Sequence, residues 1–210
     1  MKSLKNYLQE KLIIKKNNCN YYPKTKEELM KIIKKRIEEE GDEVDLNNID
    51  VSNITDMSSL FEGTNFNGDI SSWDVSHVTN MNRMFAGCEV FNQYISSWDV
   101  SNVRDMSYMF LKCFKFNQNI SEWDVSNVIE INNMFDNCES FNQDLSKWDV
   151  SNITDMSFMF YNCKTFNKDI SDWDVSNVKF MSYMFKGCKS FNQDLSKWDV
   201  SKVKHSTNMF

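Results

Sequence analysis

Proline occurs once in 210 residues and glycine five times. That scarcity excludes collagen-like and linker compositions. Histidine is nearly missing: His77 and His205 occupy different surroundings, with no Ser or Cys nucleophile placed opposite them and no glycine-rich phosphate loop anywhere. Triad and P-loop chemistry therefore lack their residues, and the expectation is a protein that is not an enzyme and needs no cofactor. No apolar run approaches a membrane span, and Met1-Lys-Ser-Leu-Lys-Asn-Tyr7 lacks the apolar stretch of a secretory signal. Cys19 follows Lys15-Lys16-Asn17-Asn18 rather than small apolar residues, unlike a lipid-attachment site. Cytoplasmic residence without a membrane span is expected.

What is present excludes a disordered chain: 41% of residues are hydrophobic and 14% aromatic. The net charge of −6 is unevenly spread. Residues 1–45 hold eleven Lys/Arg against nine Asp/Glu, residues 46–160 five against sixteen, and residues 161–210 eight against five. So acidic a middle would repel phosphate, which argues against a nucleic-acid partner.

Trp73, Trp98, Trp123, Trp148, Trp173 and Trp198 are each followed by Asp-Val-Ser at 25-residue intervals. A fixed period of this size predicts a stack of coils in which each touches only its neighbours. Ile49 takes the Trp place in a first coil one residue short, and the seventh copy stops at Met209-Phe210. The division expected is a helical cap over 1–45 and a solenoid over 46–210. Within the cap, Leu4, Tyr7, Leu8 and Leu12 predict a short amphipathic helix over 3–14. Thr25 and Glu28 have capping-box spacing, and Leu29, Ile32, Ile33 and Ile37 mark the apolar face of a second helix ending at Gly41.

In the copy from Phe141 to Cys163, Trp148 and Val150 alternate with polar residues, which reads as a short strand. Met156, Met159, Phe160 and Cys163 fall at i, i+3, i+4 and i+7, which reads as two turns of helix. Each coil is therefore expected to be strand, turn, short helix and return loop: an α/β repeat forming a right-handed, leucine-rich-repeat-like solenoid of about seven coils. Stacking would turn the Trp, Val, Met, Phe and Cys positions into inward ladders. Asn67, Asn92, Asn117, Asn142, Asn167 and Asn192, each directly after a Phe, are expected to form a buried polar ladder paired from coil to coil.

The pattern Phe-Asn-x-Asp-Ile/Leu-Ser-x-Trp-Asp-Val-Ser-Asn-Val-x-x-Met-x-x-Met-Phe-x-x-Cys resembles the 25-residue repeat of the BspA-like leucine-rich-repeat family, of the DUF285 type known as a mycoplasma domain of unknown function. The resemblance covers 46–210, and Thr25 to Val51 is similar to the leader that precedes such arrays. It implies a surface or secreted protein involved in adhesion or host interaction, with a protein partner whose identity is unknown.

Cys88, Cys113, Cys138, Cys163 and Cys188 repeat at 25-residue intervals without Cys-x-x-Cys or a His partner. Packing as reduced, small hydrophobes is favoured over a disulfide or metal role. Asp74, Asp99, Asp124, Asp149, Asp174 and Asp199 form an outward row that reads as Asx turns capping the following Ser, with a cation row as the alternative. Outward substitutions at Tyr108, Leu111, Phe158, Tyr161 and Tyr183, with Phe114 and Phe180 nearby, are the candidate partner-binding residues, since aromatic side chains dominate binding hot spots. Asn133 and Asp136 interrupt that stripe. The leading reading is a protein-interaction module; a structural or self-assembling solenoid is the alternative. Lys197, Lys202, Lys204 and His205 read as guards of the last coil, giving a monomer or a weak end-to-end dimer.

Overall fold

The computed structural model describes residues 19–210. The helix expected over 3–14 lies outside the described residues. The second is α1, Lys26–Glu40. Thr25 Oγ1 accepts from the Glu28 amide at 3.3 Å, and Glu28 Oε2 accepts from the Lys24 amide at 2.8 Å, so the first turn is capped from both sides. Gly41, at φ 88°, ends the helix and donates its amide to Ile37 O at 2.9 Å. Leu29 and Ile33 are buried, while Ile32 and Ile37 pack partly against the same core.

Arg36 was not anticipated on that buried face, yet it is only 8% exposed. Its guanidinium donates to both Glu40 carboxylate oxygens at 2.6 and 3.1 Å, to Asn48 Oδ1 at 3.1 Å and to Asp45 O at 3.2 Å. A buried charge needs such partners. They fasten α1 to the start of the first coil, and Tyr21 bridges in parallel to Ile49 beside them.

The coils follow the 25-residue period but not the expected elements. Among the described residues no helix forms over Met-x-x-Met-Phe-x-x-Cys and no strand over Trp-Asp-Val. Consecutive tight turns take their place. In the third coil the amides of Met109, Leu111, Cys113 and Phe116 donate to the carbonyls of Met106, Tyr108, Phe110 and Cys113 respectively. Tyr108 and Lys112 both sit at φ 59°, the left-handed position that a type II turn requires at its third residue and a right-handed helix forbids.

The physical reason lies between coils. The amides of Met81, Arg83, Phe85 and Gly87 donate to Asp105, Ser107, Met109 and Leu111 of the next coil at 2.7 to 3.0 Å. Amides spent there cannot close helical bonds to the i−4 carbonyl. Parallel pairing survives as single bridges, Asp56–Asn80–Asp105–Glu130 and then Asp155–Phe180–His205, seven residues after the Trp position in each copy rather than at Trp itself.

The side-chain ladders form inside this frame. Phe61, Phe85, Phe110, Phe135, Phe160 and Phe185 stack at 5.4 to 5.9 Å between centroids, and Phe66, Phe91, Phe116, Phe141, Phe166 and Phe191 form a second column. Partners across the two columns lie closer, at 3.9 Å for Phe110 and Phe116. The indoles point inward: Trp98, Trp123, Trp148, Trp173 and Trp198 each donate Nε1–H to the Ile or Leu carbonyl 28 residues earlier. Burying Trp demands a partner for that N–H, and the preceding coil supplies it.

Candidate protein-binding surface

The five stripe residues are half-buried and stand on turns rather than helices. One column contains Ser59, Arg83, Tyr108, Asn133, Phe158, Tyr183 and Asn208, all at φ between 50° and 62°. Stacked coils force the same backbone on each, whatever the side chain. Phe158 and Tyr183 stack at 4.7 Å and 13°, and Tyr161 leans on Phe158 at 5.6 Å. Arg83 lies over the Tyr108 ring at 4.3 Å, and the Lys186 ammonium lies 5.1 Å from the Tyr183 centroid. The Leu111 amide donates to Tyr108 O at 3.1 Å. The structure thus brings together Phe158, Tyr161 and Tyr183, and separately Tyr108 and Leu111, with the coil of Asn133 and Asp136 between them. Phe180 stacks on His205 at 5.3 Å, apart from this stripe.

Asp136, named only as an interruption by sequence, is 8% exposed. Its carboxylate accepts from Asn133 Nδ2 at 3.0 Å and Asn137 Nδ2 at 2.5 Å. Burial pushes the carboxyl up, opposed by those two amides and by the charge of Lys112. The available signal was a short acid between Leu111 and Tyr161 in a column that also holds Glu62, Ala86 and Lys186.

The Asn ladder pairs coil to coil as expected, but at the surface. Asn92, Asn117, Asn142, Asn167 and Asn192 each donate the backbone amide to the Oδ1 of the Asn one coil earlier, at 2.9 to 3.0 Å, and Asn92, Asn167 and Asn192 are exposed. The side-chain Oδ1 stands in for the missing backbone acceptor there, so burial is unnecessary. Asn102, Asn127, Asn152 and Asn177 add a second ladder, donating Nδ2–H to the carbonyls of Ser76, Ser101, Ser126 and Ser151.

The five cysteines of the array are free thiols, each donating to the Phe carbonyl of the preceding coil at 2.8 to 3.1 Å. Burial pushes the thiols up, to about 11 at Cys88 and about 12 at Cys188. In the Asp row, Asp74, Asp99 and Asp124 accept both the amide and the hydroxyl of the Ser two residues on. Asp149, Asp174 and Asp199 accept the amide. These are Asx turns. Among the described residues no three His, Cys, Asp or Glu converge as a metal site. A groove of about 690 Å³ runs past Trp73, Val51 and Val75 with Asp50, Asp74 and Asp99 on its wall. No helix of the described residues is long and apolar enough to cross a membrane.

No curated protein and no solved structure matches the chain. Residues 29–147 and 117–210 match the family described as Mycoplasma protein of unknown function, DUF285. Those two segments overlap and take in α1 from its first buried leucine, all the stacked coils and the aromatic stripe, so the chain belongs to that family.

Proposed function

We propose that the protein is a non-enzymatic interaction module, a right-handed leucine-rich-repeat-like solenoid that offers its aromatic stripe to a protein partner. One observation carries the reading. Tyr108, Phe158 and Tyr183 have φ of 59°, 58° and 62°. At that turn position glycine and asparagine are favoured, and a bulky side chain costs of order 1–2 kcal/mol. Other copies place Asn133 and Asn208 there. Large rings held against backbone preference, on a half-buried surface, fit a role outside the fold. The five array cysteines, thiols that donate to backbone carbonyls rather than disulfides, accord with a reducing, cytoplasmic setting.

The test uses Tyr108→Asn, Phe158→Asn and Tyr183→Asn together, which removes the rings while suiting the turn. Affinity capture followed by mass spectrometry should lose the proteins enriched by wild type, with melting temperature kept or raised. Undiminished capture by the triple variant would make the stripe ordinary surface.

A further inference from the structure

We propose that Asp136 is the recognition point for a lysine or arginine side chain of a protein segment lying along the stripe; this rests on the reading of the stripe as a docking surface. The register is fixed by backbone bonds. The Lys112 amide donates to Asp136 O at 2.7 Å, and the Asn137 amide donates to Tyr161 O at 2.7 Å. Leu111, Asp136 and Tyr161 are therefore successive rungs of one column. The short acid sits between two larger side chains, which stand two coil spacings apart, about 10 Å. A lysine or arginine stem laid along the column would cross that step between Leu111 and Tyr161.

The carboxylate at the floor is under-served. It has about four acceptor positions, and Asn133 and Asn137 are the donors that reach it. Among the described residues no Lys or Arg forms an ion pair with it. Lys112 acts on it through its charge without forming an ion pair, and Lys164 is committed to Glu139 at 2.6 Å. Buried charges are ordinarily paired.

A second, independent feature lies on the same coil. The chain of parallel bridges is interrupted between Glu130 and Asp155 and resumes at Asp155–Phe180. Lost hydration, then the charges of Asp105 and Asp155, push the Glu130 carboxyl up. These three successive acids stand in the bridge column rather than in the stripe, and they add to the negative field around the coil. With five Lys/Arg against sixteen Asp/Glu over 46–160, charge complementarity selects a cationic occupant.

The experiment pans a random peptide phage library against wild type, Asp136→Asn, and the triple asparagine variant. Asp136→Asn is isosteric, and its melting temperature is measured beside wild type because one acceptor becomes a donor facing Asn133 or Asn137. Wild type is expected to enrich peptides with Lys or Arg beside apolar residues. Fluorescence anisotropy on the best peptide, against its Lys/Arg→norleucine version, should show a loss of about tenfold or more with wild type and under about twofold with Asp136→Asn. An equal basic preference in Asp136→Asn, or wild-type peptides without basic residues, overturns the role of Asp136 and leaves the stripe standing. Equal enrichment by the triple variant, or none by wild type, overturns the stripe itself.

Discussion

At the scale of single residues, the inward positions behave as columns in which a lost side chain is felt above and below. Trp148 is 3% exposed and bonds Ile120 O at 3.1 Å. Trp148→Ala should cost about 3–5 kcal/mol, read from the shift of a urea unfolding curve, because it opens a void between two coils that cannot collapse independently. A loss below about 1 kcal/mol would contradict the inward placement. The thiol column adds a pH signature. Its folded values lie above the ordinary 9.0, so the fold favours the protonated thiol. That contribution is complete below pH 9 and is lost as pH rises through the folded values, about 11 for Cys88 and about 12 for Cys188. Replacing all five with Ala should flatten thermal stability across pH 9 to 11 relative to wild type.

Among elements, the turn is the unit, and it was the part least legible beforehand. The Trp period, the Phe, Met and Cys columns, the Asx row and the caps of α1 could all be read, because side-chain type and spacing determine them directly. Spacing at i, i+3, i+4 and i+7 does not distinguish helical turns from linked type II turns, since both return a side chain to the core. Gly87, Asn137, Asn162 and Gly187, each directly before a Cys, carried the missing signal: their φ values are 79°, 61°, 56° and 82°. Recurrent Gly or Asn inside a supposed helix marks the left-handed position instead. Burial of Asp136 and Arg36 was hidden for another reason, as it depends on which neighbours cover them. Lys112 occupies the same turn position at φ 59°. Lys112→Gly should raise stability by about 1 kcal/mol, whereas Lys112→Val should lower it by at least as much, both measured by urea denaturation.

Over the whole molecule, stability is a sum of coils and the contacts between them, so it varies along the stack. Trp123 and Phe116 in the middle are 3% and 0% exposed, while Phe191 and Leu195 in the seventh coil are only partly buried. Hydrogen exchange by mass spectrometry should find the amides of 181–185 less protected than those of 106–110; equal protection would mean the stack opens as one unit. The bonds between coils have a further consequence. From the second coil to the third, four turn amides point forward to the carbonyls of Asp105, Ser107, Met109 and Leu111, while the Arg104 amide points back to Thr79. Peptide dipoles thus add along the axis, with the carbonyl pole toward α1 and the amide pole toward the last coil, the reverse of an α-helix. At the carbonyl pole, Lys26 meets Asp56 at 3.3 Å and the Arg36 guanidinium donates to a backbone carbonyl. Each added coil therefore lengthens an electric moment as well as a surface, and a charged partner is turned to face the stack before it makes contact.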